Sequence, residues 1–133
     1  RGWYFDLPTT RERTTGVTKI DGGLVVFNTF IPSVAACDAG GTGWLMALDY
    51  LEGTDPLTRV FDTDNDLDVD SNDESVAGYQ IGAALGGTTL VRSVNVNQPS
   101  IGVSSLTSGE LKTNLIQIGN NLRGRINWRE IVQ

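Results

Sequence analysis

Seven of the chain's 16 acidic residues are gathered in one stretch that holds no lysine or arginine: Asp62-Thr63-Asp64-Asn65-Asp66-Leu67-Asp68-Val69-Asp70-Ser71-Asn72-Asp73-Glu74. Counted from Asp62, aspartates stand at positions 1, 3, 5, 7, 9 and 12, the spacing of an EF-type loop, whose tight curl turns alternate residues onto a calcium ion. Calcium takes roughly six to eight oxygen ligands at about 2.3–2.6 Å. In this register Asp62, Asp64 and Asp66 coordinate through carboxylates, Asp68 through its carbonyl, Asp70 directly or through water, and Asp73 closes the loop. Two positions depart from the pattern. Leu67 stands where the sharp turn wants glycine, and Asp73 stands where a longer, bidentate glutamate is usual, with Glu74 one residue on to extend the reach. A leucine forced into the left-handed region costs about 1 kcal/mol or more. Carboxylates held a few ångströms apart repel, and no base within the run offsets them, so an ion-binding loop is favoured over a merely solvated charge run. Magnesium suits so flexible and carboxylate-rich a cage less well.

Other chemistries find little support. Glycoside hydrolysis needs one carboxyl desolvated and one ionised, whereas these aspartates share a polar loop. The chain contains no histidine, which removes the commonest general base and excludes Ser/His/Asp and Cys/His catalysis within it. Gly40-Gly41-Thr42-Gly43 lacks the following lysine of a phosphate cradle and reads as a tight turn before a strand. The chain is therefore expected not to be an enzyme. Setting the acidic run aside leaves nine acids against ten bases, so neither nucleic acid nor an anionic membrane surface is an expected partner. No apolar run approaches the ~20 residues of a membrane span, and the amino end lacks the regions of a signal peptide, as expected of a mature or excised soluble segment.

The elements that must position this loop read as strands. Apolar and β-branched runs at residues 3–7, 24–31, 44–48, 88–96 and 126–132 are separated by Gly, Asn and Asp. Leu24-Val25-Val26-Phe27 reads as a strand buried on both faces, and 91–96 as a partly wet one. Leu111, Leu115, Ile118 and Leu122 sit at helical spacing behind a Thr107/Glu110 capping box, yet residues 113–119 are also β-branched and end in glycine, and the strand is preferred. Residues 62–74 and 104–110 are the best loop candidates. The expectation is all-β, with residues 1–133 forming one β-rich segment. Trp3, Trp44 and Trp128 are expected to pack between sheets.

Taken together, Gly2-Trp3-Tyr4-Phe5-Asp6-Leu7-Pro8, the run from Gly22 to Ser33 (GGLVVFNTFIPS), Cys37, the run from Gly40 to Asp49 (GGTGWLMALD), Phe61-Asp62 opening the acidic loop and Gly124-Arg125-Ile126-Asn127-Trp128-Arg129-Glu130 resemble the PilC/PilY family of type IV pilus tip-associated proteins. The resemblance is dense over residues 1–75 and 124–130 and thin between. It implies part of a modified β-propeller, about three blades' worth of strands, carrying an inserted calcium loop at residues 62–74. It also implies an adhesin that supports pilus biogenesis, surface attachment and twitching motility. The expected partners are pilus-tip minor pilins, a host or surface receptor, and the rest of a parent propeller. The expected location is extracellular or on the bacterial outer-membrane surface, reached through the periplasm. Cys37 is either half of a bridge to residues outside this chain or a small buried residue. A dockerin-like module of a secreted protein, which binds a protein partner through calcium, is the alternative.

Overall fold

The structure, a computed structural model, describes residues 2–35, 40–95 and 98–119. The described residues form eight strands and no helix: β1 (Arg13–Asp21), β2 (Leu24–Pro32), β3 (Gly41–Thr42), β4 (Trp44–Asp49), β5 (Gly78–Gln80), β6 (Thr89–Val91), β7 (Ser100–Ser105) and β8 (Leu111–Ile116). The expected all-β class holds. No described helix is long and apolar enough to cross a membrane.

Two antiparallel sheets result. The first runs β1-β2-β4-β5, with β3 paired to the end of β2; the second runs β6-β7-β8. β1 and β2 meet through Gly22 and Gly23, at φ 61° and 82°, with Asp21 opposite Leu24. Positive φ at both central residues is what a two-residue hairpin turn needs to match strand twist, and glycine adopts it without a Cβ penalty. β2 is central and its first six residues are buried, as the unbroken apolar run predicts.

The core ties the sheets together. Leu24 and Val26 of β2 and Leu45 and Ala47 of β4 cluster with Val60, Phe61, Ile81, Ile116 and Ile118. Phe61 bridges Ile116, and the Gln117 N–H donates to the Val60 carbonyl at 2.8 Å, so the segment entering the acidic loop is stitched to the segment leaving β8. Fully burying side chains of this size contributes about 1.5–3 kcal/mol each. A polar seam runs beside them. The fully buried Asn28 donates from Nδ2 to the Gly86 carbonyl at 2.6 Å and accepts from the Thr88 hydroxyl at 2.6 Å, while Thr88 also shares a 2.6 Å hydrogen bond with Ser104. Each buried polar group in the seam thereby has a partner, which its burial requires.

The preferred strand at 113–119 is present as β8, and its helical alternative is absent. Other boundaries differ from the sequence reading. Residues 3–7 form no strand; Trp3 is 38% exposed, donates from Nε1 to the Tyr50 carbonyl at 3.0 Å and lies over Gly53, outside the inter-sheet core. The expected strand at 88–96 shortens to Thr89–Val91 among the described residues, and the expected loop at 104–110 is a tight turn between β7 and β8. β1, β5 and β7 are strands that apolar periodicity did not reveal. Trp44 lies on β4, partly buried against Val25, Phe27, Met46 and Leu48. Cys37, Trp128 and the strand expected at 126–132 lie outside the described residues.

Candidate metal centre

The acidic segment leaves the core at Phe61, 1% exposed and in ring contact with Tyr79 of β5, the centroids 6.0 Å apart. It returns to the first sheet at β5. Between these anchors the chain forms a loop organised by its own carboxylates. Asp62 accepts the backbone N–H of Asn65 at 2.6 Å on one oxygen and that of Leu67 at 3.1 Å on the other. Asp64 accepts from the N–H of Asp66 at 3.2 Å, Asp66 from that of Asp68 at 2.9 Å, and Asp70 from that of Asn72 at 2.7 Å. Aspartate favours these local side-chain-to-backbone bonds, and their succession curls the chain.

Asn65 and Leu67 both lie in the left-handed region, at φ 63° and 74°. The sequence register placed the sharp turn at Leu67, and the turn is there. Tyr79 supports the first of these two by donating its hydroxyl to Asn65 Oδ1 at 3.2 Å.

The loop's neck is closed by Asp73, only 4% exposed. One of its oxygens accepts from the N–H groups of Thr63 and Asp64 and from the Thr63 hydroxyl; the other accepts from the N–H of Asp70 at 2.8 Å. Glu74 N–H donates to the Thr63 hydroxyl at 2.8 Å, and Arg59 Nε donates to the Asp73 carbonyl at 2.7 Å. Burial pushes the Asp73 carboxyl up, but the converging donors outweigh it and hold the group below its ordinary value.

The carboxylates of Asp62, Asp64 and Asp66 converge, with oxygens of all three within 4.8 Å of one another, and this cluster could hold a metal ion. Asp62 is buried at its base and the other two are exposed. Desolvation, and then the negative charges of Asp66, Asp73 and Asp62, push the Asp64 carboxyl above its ordinary value against the pull of its hydrogen bond from Asp66. Of the six aspartates singled out from sequence, three are therefore brought together. Asp68, Asp70 and Asp73 stand outside that cluster, and Asp73 is engaged with backbone donors at the neck.

Over 98% of its length, or 142 aligned positions, the chain is 31% identical to the type IV pilus biogenesis factor PilY1 in two strains of Pseudomonas aeruginosa. The chain is a relative of the PilY1 proteins. A PilY1 homolog of Xylella fastidiosa is 37% identical over 65 residues, 44% of this chain. The chain spans 12% of the length of the Pseudomonas PilY1 and aligns with 4% of the Xylella homolog. No protein-family model matches the chain, and no solved structure matches it.

Proposed function

We propose that the chain is the calcium-binding portion of a type IV pilus tip-associated adhesin, a binding and assembly element rather than a catalyst. In this reading it supports pilus biogenesis, surface attachment and twitching motility. The observation that carries the reading is the convergence of Asp62, Asp64 and Asp66 on a common point, in a chain related to proteins named for pilus biogenesis. Oxygens within 4.8 Å of one another match the spread of ligands around one ion at about 2.3–2.6 Å. Asp68, through its carbonyl, and Asp70 complete the shell, while Asp73 holds the neck.

Calcium here acts by population shift: it stabilises only the loop conformation that binds it, by about 2.7 kcal/mol at a hundredfold excess over Kd. The ordered loop is wired to both sheets, through Phe61 to Ile116 and through Tyr79 to β5. A local binding event thereby stiffens the junction between them. In the parent protein this segment forms part of a modified propeller outside the cytoplasm, facing pilus-tip minor pilins or a surface receptor.

Isothermal titration calorimetry tests the site. One calcium equivalent is expected, and Asp62→Ala combined with Asp66→Ala removes two charged ligands from an already imperfect loop and abolishes binding. Unchanged calcium heat in that double variant would sink the assignment.

A further inference from the structure

Strand β8 is paired along one side with β7, from Ser105↔Leu111 to Ser100↔Ile116, and on its other side touches Phe61 only at Ile116. That bridge sets Asp62 opposite Leu115, and from Leu111 to Asn114 no described residue hydrogen-bonds the outer side. Each residue there alternates between the two faces: Lys112 and Asn114 sit opposite the buried Ser104 and Gly102, whereas Thr113 and Leu115 sit opposite Val103 and Ile101 on the outer face. A cleft of about 300 Å³ is lined by Lys112, Thr113, Asn114 and Leu115 in succession. The cleft borders the strand on both faces and extends over Ile101 of β7. Its far wall is Asp62, Asn65, Leu67 and Tyr79.

A row of unsatisfied backbone donors and acceptors is a template for another strand, and an edge left open usually carries a device against pairing with copies of itself. Here the edge is set within a cleft with walls. Asn114 Oδ1 is buried beside it with no hydrogen-bond partner. The charges are also ordered along it. Asp62, next to Phe61, marks the Leu115 end, and Lys112 marks the other, about 10 Å away at strand rise.

We infer that the outer edge of β8 receives an extended peptide of a partner protein, added as a fourth strand to the β6-β7-β8 sheet. The peptide carries an acidic residue opposite Lys112 and a basic residue two positions away, at the end that meets Asp62 of the acidic loop. Main-chain hydrogen bonds supply the attachment and the two charges fix register, which is how strand addition divides affinity from specificity.

The test uses the full 133-residue chain, isotopically labelled, and a synthetic octapeptide of alternating threonine and valine with one lysine and, two residues on, one glutamate. Titration followed by NMR is expected to give saturable shifts centred on the amides of residues 111–115, with calcium or with chelator present. N-methylating one alternate set of peptide amides should abolish binding and methylating the other set should leave it. Lys112→Glu should weaken binding about three- to tenfold, as loss of an attractive cross-strand pair implies, and replacing the peptide's glutamate by lysine should restore it. Absent saturation, equal effects of the two methylated sets, or failure of the charge swap each overturn the inference. Protection of every amide from 111 to 115 in the free chain would overturn it too, by showing the edge already covered. Calcium heats measured on the same samples report separately on the metal site.

Discussion

Asp62 accepts the backbone N–H of Leu67 at 3.1 Å and so holds a leucine in the left-handed region, at φ 74°. The side chain gains little in return, being 80% exposed. Leu67→Gly removes the Cβ penalty, worth about 1 kcal/mol. The variant should melt at higher temperature and bind calcium more tightly. A lower melting temperature with a weaker Kd would mean that the leucine contributes packing the strain argument ignores.

Asp73 gives the fold an acid sensitivity of defined sign. Its folded carboxyl lies below the ordinary value of 3.8, so its stabilisation is complete above that pH and is lost as pH falls through the depressed folded value. Denaturant melts in chelator should show the wild type losing stability below about pH 4. Asp73→Asn should be less stable at neutral pH and flatter across that window. Asp64 works in the opposite sense, since its raised carboxyl disfavours the folded state once ionised, and Asp64→Asn should be slightly stabilising in chelator at neutral pH. A parallel pH profile for wild type and Asp73→Asn would refute the neck role.

Tyr79 offers an optical readout, because its hydroxyl is bonded to Asn65 inside the loop. Terbium, a calcium substitute with the same preference for oxygen ligands, should luminesce when tyrosine is excited. Tyr79→Phe should lose most of that emission, and excess calcium should quench it in wild type. Full emission in the variant would place the bound ion elsewhere.

The polar seam predicts a stability cost without a cavity. Thr88→Val preserves shape but leaves the Asn28 oxygen and the Ser104 hydroxyl without the Thr88 partner, at about 1–3 kcal/mol. Adding Ser104→Ala should recover part of the loss, since it removes one orphaned group. Equal stability of wild type and Thr88→Val would show that water replaces the hydroxyl.

Sequence reading succeeded where burial followed side-chain type. β2 and β4 were legible as apolar runs, and β8 was separable from its helical alternative by β-branching and a terminal glycine. β7 was read partly as loop because its polarity is inverted: Ser100, Gly102 and Ser104 face inward, while Ile101 and Val103 face out. Only the seam with Asn28 and Thr88 makes buried hydroxyls acceptable, and that seam joins residues 60 positions apart. β1 was missed because it is mostly exposed and interrupted by an irregularity between Thr15 and Lys19, where Gly16 takes φ 75° against the backbone of Gly86 and Gly87. Of the loop, the sharp turn at Leu67 was visible in spacing. The use of Asp73 as a backbone clamp was not, because nothing in its type distinguishes a ligand from a cap.

The bridge between Phe61 and Ile116 also sets a timetable. Leu24, Val26, Leu45 and Ala47 find their covering partly in Ile116 and Ile118, some 70 to 95 positions further along the chain. A chain delivered from its amino end, by a ribosome or through an export channel, therefore presents a nearly complete first sheet whose inner face is only partly covered, by Val60, Phe61 and Ile81, until residue 118 emerges. Such non-local closure places folding toward the slow end, about milliseconds to seconds for β-rich domains. During that interval the incompletely covered β2 face is the surface that a holding chaperone would engage and that premature aggregation would exploit.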